Sequence, residues 1–137
     1  MSVANCKWIN LPKITDQRGN LTFIESTNHI PFSIARVYYL YDVPSGADRA
    51  GHAHKDLEQI LIALSGSFRI GLDDGKEKKE FFLSQPNQGL YIGSMVWREL
   101  NSFSAGSVCL VLASRMYDES DYFRDYNDFL NAAMETA

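Results

Sequence analysis

In the stretch GADRAGHAHKDLEQILIALSG, from Gly46 to Gly66, two histidines stand two residues apart, directly ahead of an apolar run. In a strand, residues i and i+2 face the same side, so His52 and His54 point together, and Glu58, four residues on, shares their face. Imidazole titrates near pH 6.5, closer to neutrality than any other unperturbed side chain. Such a pair suits two chemistries: ligation of a metal, or acid–base work without one. Arg18, Arg36 and Arg49 each lie near a strand or loop expected to form the pocket. A guanidinium holds phosphate oxygens through two parallel hydrogen bonds, so these residues can serve an anionic ligand. Tyr38 shares a strand face with Arg36 and can donate to an oxygen or relay a proton. Trp97 and Tyr91 offer rings for stacking, though either is equally at home in a core.

The elements that must position these groups are nearly all strands. NLTFIES alternates in polarity, and SIARVYYLYDV is rich in β-branched and aromatic residues. EQILIALSG ends in a Ser-Gly turn, and SFRIGLDDGKEKKEFFLS reads as a hairpin with Asp74-Gly75 at its tip. GLYIGSMVWREL and SVCLVLAS read as two further strands. Short strands broken at regular intervals by Gly, Pro, Asn and Asp predict an all-β sandwich or barrel. Only the tail differs. DESDYFRDYNDFLNAAME sets Tyr122, Tyr126, Phe129 and Leu130 at helical spacing, with Asp118 or Ser120 as its cap, and predicts a helix packed on the barrel.

Composition narrows the class. With 137 residues, the chain predicts one domain over 1–137, with enough length to bury a core. A net charge of −4 argues against nucleic acid or a membrane surface as partner, since both repel a net-negative chain. No apolar run approaches the roughly 20 residues that span a bilayer, and MSVANCKWINLPK lacks a signal-peptide core, so the cytoplasm is expected. Cys6 and Cys109 form no paired motif.

Gly46, His52, His54, Glu58 and Gly66 together resemble the first motif of the cupin superfamily, with one extra residue before the last glycine. The resemblance implies a jelly-roll barrel (a double-stranded β-helix) with a short C-terminal helix. In metal-binding cupins a third histidine comes from a second motif, which here falls in GLYIGSMVWREL and carries Arg98 instead. A guanidinium repels a divalent cation, so no metal and no other cofactor is expected. Over Ile14 to Phe129 the chain further resembles the sugar-nucleotide 3,4-ketoisomerases. The resemblance rests on RVYY, on RAGHAHKDLEQ and on LASRMYDESDYFRDY; relatives commonly carry histidine where Arg98 stands.

That family moves a carbonyl from C4 to C3 of dTDP-4-keto-6-deoxyglucose through an enediol, in dTDP-deoxyamino-sugar biosynthesis. It implies His52 as the carbon proton shuttle, His54 as second acid–base group and Tyr38 as oxygen donor or relay. On this reading Arg18, Arg36 and Arg49 bind the diphosphate, Glu58 either holds an imidazole tautomer or serves packing and loop pinning, and Trp97 or Tyr91 either stacks on the base or belongs to the core. It also implies a homodimer with an exchanged N-terminal strand. With both histidines on one strand face, proton return on one side of the sugar favours the galacto product. The alternatives are a 3,5-epimerase acting on the same ketone, a metal-dependent cupin, and a cupin that binds a sugar without turning it over.

Overall fold

A computed structural model describes residues 2–135. Its strands build two antiparallel sheets that face each other. One sheet runs in the order β1 (Lys7–Asn10), β9 (Gln88–Ile92), β6 (Gln59–Ser65), β11 (Val108–Ala113), β4 (Arg36–Leu40). The other runs β12 (Tyr122–Phe123), β5 (Arg49–His54), β10 (Trp97–Asn101), β7 (Phe68–Asp73), β8 (Lys78–Leu83). A separate hairpin pairs β2 (Ile14–Asp16) with β3 (Gly19–Leu21). The chain passes back and forth between the large sheets, as in the expected jelly roll, and the sheets share no ladder.

Alternation sets what lies between the sheets. Leu61 and Ala63 of β6, Leu90 and Ile92 of β9, Ile70 and Leu72 of β7, and Leu100 of β10 turn inward and are buried. Each large one contributes roughly 1.5–3 kcal/mol on burial. Their neighbours turn outward. Ile60, Ile62, Tyr91 and Leu112 lie under Leu11, Ile30 and Phe32, which cover the back of the first sheet. Ala53 and Trp97 lie under Phe129 of helix α1 (Tyr126–Glu135), which covers the back of the second.

Two glycines shape the site strand. Gly66 turns the chain from β6 into β7 at φ +69°, and a Cβ there would come within 2.8 Å of the Ser107 side chain. Gly51 adopts φ +63° inside β5. It is the extra residue of a bulge, since Arg98 pairs with His52 but Glu99 with Ala50 and Leu100 with Arg49.

Three expected elements differ. The NLTFIES strand ends at Leu21, and the chain beyond it becomes the cover over the first sheet. GLYIGSMVWREL is two strands in different sheets, β9 and β10. The chain changes sheet at Gly93–Val96, where Met95 takes φ +58° and its N–H donates to the His54 carbonyl at 2.7 Å. The tail helix starts only at Tyr126, with Asp125 accepting from the Asp128 N–H at 3.0 Å. Asp118 instead caps a 3-10 turn, Glu119–Asp121, and Tyr122 extends the second sheet as β12.

Candidate active site

Between the sheets lies a cavity of about 510 Å³. The first sheet contributes Arg36, Tyr38 and Leu40 from β4, Gln59 and Leu61 from β6, and Val111 from β11. The second contributes Arg49 and His52 from β5, Arg98 and Leu100 from β10, and Tyr122 from β12, with Arg124 just beyond it. The Gly51 bulge explains one of these. Arg49 and His52 differ in parity, so strict alternation would turn them to opposite faces; the extra residue brings both into the cavity.

His52 lines the cavity and His54 does not; it is fully buried behind it. The two rings meet edge to face, with centroids 4.8 Å apart, and Tyr122 packs on both, at 5.1 Å from His52 and 4.3 Å from His54. Burial first, then the charge of Arg98, pushes the His54 pKa down to about 2, so the ring is neutral. Its Nδ1 lies 3.1 Å from Oδ2 of Asp121, itself buried. A carboxylate only accepts, so the proton of the neutral ring sits on Nδ1. Nε2 then carries the lone pair, and it has no hydrogen-bond partner among the described residues. The other Asp121 oxygen accepts from the Asp56 N–H at 2.9 Å, which fixes the carboxylate against the end of β5.

Beside His52, on the neighbouring strand β10 of the same sheet, Arg98 is the largest fully buried side chain among the described residues. Burial lowers its pKa to about 10, which leaves it cationic at neutral pH. It donates from Nη1 to Oε1 of Gln59 and from Nη2 to the Val96 carbonyl at 3.0 Å. Gln59 in turn donates from Nε2 to the Tyr38 hydroxyl at 3.0 Å. Burial raises the Tyr38 pKa, so the phenol keeps its proton.

At the mouth the charge is positive. The Arg36 guanidinium stacks on the rings of Tyr38 and Tyr117, at 5.2 and 5.5 Å. Its Nε and Nη2 are buried without a hydrogen-bond partner among the described residues. Arg124 lies 4.2 Å over the Tyr122 ring and is held by Glu119, whose own pKa this pairing lowers to about 2.

Four expected site residues stand elsewhere. Glu58 faces the back of the first sheet, where it accepts a hydrogen bond from Tyr91. The inward position is Gln59, and the extra residue before Gly66 was the signal for it. A position separated from His54 by four residues and from Gly66 by six is Gln59, not Glu58. Trp97 is turned out by the same alternation that turns Arg98 in, and packs against Tyr126 and Phe129. Tyr91 likewise packs away from the cavity, beside Ile60 and Ile62. Arg18 sits on the β2–β3 hairpin with a 90% exposed side chain, paired with Asp16 at 2.6 Å. Asp121, Tyr122, Arg124 and Gln59 were not anticipated.

This donor set does not suit a metal ion. The inward face offers two imidazoles, a neutral amide and a buried guanidinium, and the last two already satisfy each other. Among the described residues no group of three or more His, Cys, Asp or Glu side chains is placed to hold a metal ion.

A jelly roll with an imidazole on one wall, a phenol on the other and arginines at the mouth defines a cupin built for acid–base chemistry on an anionic ligand. The chain belongs to the FdtA family (WxcM-like, C-terminal), whose profile matches residues 4–134. It is 51% identical over 123 residues to the TDP-4-oxo-6-deoxy-alpha-D-glucose-3,4-oxoisomerase of Aneurinibacillus thermoaerophilus, covering 90% of this chain and 88% of that one. The 3,4-ketoisomerase QdtA of Thermoanaerobacterium thermosaccharolyticum, in a variant complexed with TDP-4-keto-6-deoxyglucose, superposes with a TM-score of 0.95 at 44% identity, over 98% of this chain and 97% of that one. The WlaRB TDP-quinovose 3,4-ketoisomerase of Campylobacter jejuni does so at 0.90 and 48%, over 94% and 99%.

Proposed function

We infer that this chain is a TDP-sugar 3,4-ketoisomerase that converts dTDP-4-keto-6-deoxyglucose to its 3-keto isomer by metal-free acid–base catalysis. The observation that carries the mechanism is the pairing of His52 on one sheet with Tyr38 on the other, across a cavity whose mouth holds the unsatisfied guanidinium of Arg36.

The C4 ketone acidifies the C3 hydrogen. His52 removes that proton, the electron pair forms a C3–C4 double bond, and negative charge moves to the C4 oxygen. Tyr38 donates a hydrogen bond to that oxygen as the charge grows. The protonated imidazole then returns a proton to C4, while the C3 hydroxyl proton passes to the C4 oxygen. The sum is one C–H and one O–H exchanged between neighbouring carbons, with no electron carrier needed. A base of near-neutral pKa suits the first step. Neutral, buried His54 supports the His52 ring from behind, and its own Nδ1 is fixed by Asp121. Arg36, Arg49 and Arg124 bind the diphosphate.

Arg18 is exposed and does not line the cavity that holds His52. We place it at the partner's mouth in a homodimer formed by N-terminal exchange. β1 stays paired with β9 of its own chain, so the segment available for exchange is the β2–β3 hairpin that carries Arg18, which is exposed throughout; Val37 and Tyr39 on edge strand β4, with Tyr41 just beyond it, leave an apolar strip. Analytical ultracentrifugation should then give twice the 15.5 kDa chain mass. Two unpaired, buried cysteines suit the reducing cytoplasm.

The decisive experiment incubates the protein with dTDP-4-keto-6-deoxyglucose in deuterium oxide and follows the sugar by NMR. The expected result is a 3-keto product, and its couplings at C4 and C5 report which wall returned the proton. Deuterium at both C3 and C5 with the ketone still at C4 would make the protein a 3,5-epimerase. Binding with no exchange would make it a sugar-binding cupin.

A further inference from the structure

We propose that Gln59 is a positioning residue that commits the phenol proton of Tyr38 to the cavity. The polarity of the chain Arg98–Gln59–Tyr38 is dictated at its charged end. A guanidinium can only donate, so the side chain of Gln59 must present its oxygen to Arg98. That orientation leaves its NH₂ group toward Tyr38, 3.0 Å from Oη, and an amide nitrogen can only donate. The Tyr38 oxygen therefore accepts. Its single proton must go elsewhere, since this bond uses the oxygen as acceptor.

The arrangement is rigid. Arg98 and Gln59 are each 1% exposed, so bulk water does not compete for their bond. The second Arg98 nitrogen is tied to the Val96 carbonyl. All three side chains line the cavity, so a ligand held there is within reach of the uncommitted phenol proton. A positive charge thus sits two hydrogen bonds behind the donor and polarises the chain toward the ligand. This inference rests on the ketoisomerase reading for the identity of the acceptor, the C4 oxygen that gathers negative charge as the C3 proton leaves.

The test reverses the polarity. In Gln59→Glu the carboxylate keeps its bond to Arg98 but can only accept, so Tyr38 turns its proton away from the cavity. Steady-state turnover of dTDP-4-keto-6-deoxyglucose should fall about 10²-fold, as on loss of one oxyanion donor. KM, and dTDP affinity by calorimetry, should stay at wild-type values. Tyr38→Phe should lose a similar factor, and the double variant no more than the larger single loss. Gln59→Met, which neither donates nor accepts strongly, frees the phenol to rotate and should lose less than Gln59→Glu.

A purely structural role predicts the opposite order for Glu and Met, and that order would overturn the proposal. So would wild-type turnover in Gln59→Glu, or losses that multiply in the double variant. Should Gln59→Glu not fold, Gln59→Met decides. It is expected to lose about tenfold in kcat at unchanged KM, with that loss absent in a Tyr38→Phe background, and wild-type turnover there overturns the proposal. If the wild-type protein forms no 3-keto sugar, the functional reading fails and takes this inference with it. If the wild type turns over and Gln59→Glu does too, only the inference fails.

Discussion

His52 and Arg36 line one cavity from opposite sheets, and substitution should separate their work. His52→Asn removes the base and leaves the arginines in place. We expect kcat to fall by about 10²–10⁴-fold while calorimetric dTDP affinity holds. A larger loss in His54→Ala than in His52→Ala would reverse the order of the two histidines. Asp121→Asn keeps an acceptor for the Asp56 N–H but can offer Nδ1 of His54 a donor, which favours the other tautomer. In a serine-protease triad that exchange costs about 10⁴-fold. Here the affected ring stands behind the reacting one, and we expect at least about a tenfold loss of kcat. The ¹⁵N shifts of His54 should show Nδ1–H in the wild type and its loss in the variant. At this scale the sequence was legible where period two applied without interruption, as for Arg36 and Tyr38, which both line the cavity, while His54 packs on His52 from behind it. Placement of the carboxylate failed by one residue, because Glu58 drew the glutamate of the motif away from Gln59. Asp121 reaches His54 across 67 residues, and no local pattern announces such a contact.

The elements around the site show why. Bulges and sheet changes are backbone events, and polarity patterns do not encode them. The Gly51 bulge brought Arg49 inward, and the turn at Gly93–Val96 split one apparent strand into two. The aromatic tail read as a helix from end to end because Tyr122, Tyr126 and Phe129 have helical spacing. Yet residues 119–124 follow the edge of β5 and supply Asp121, Tyr122 and Arg124 to the site. Helix α1 anchors that segment. Phe129 is fully buried on Trp97 and Phe123, so Phe129→Ala should destabilise the fold by about 3–5 kcal/mol. Urea denaturation measures this. Because the helix holds β12 in place, dTDP affinity should weaken as well, although Phe129 lies on the far side of the second sheet from the cavity. Loss of stability with unchanged dTDP affinity would show that β12 holds its position without the helix.

For the whole molecule, the net charge of −4 hides a cationic interior. Arg36, Arg49, Arg98 and Arg124 line one cavity against the single carboxylate of Asp48, so the overall acidic balance spoke about the outer surface and not about the ligand. The same concentration of charge makes the fold sensitive to acid. In the unfolded chain His54 takes a proton near pH 6.5. In the folded chain burial, followed by the charges of Arg98, His52, Arg36 and Arg124, lowers that pKa to about 2, while Asp121 beside Nδ1 is the group that opposes them. Between those values the unfolded chain binds a proton that the folded chain refuses, so stability falls as pH drops through the window. The slope from this residue is at most about 1.4 kcal/mol per pH unit, and from pH 7 to pH 5 it amounts to about 2 kcal/mol. Other groups contribute to the total, so the comparison is with His54→Gln, which cannot titrate. Urea unfolding of both proteins from pH 7 to pH 5 should show a steeper loss in the wild type. Equal slopes would mean that His54 accepts its proton inside the fold, as an imidazolium held by Asp121. The His54 ring would then be charged behind His52, and His52 would be a weaker base than the mechanism requires.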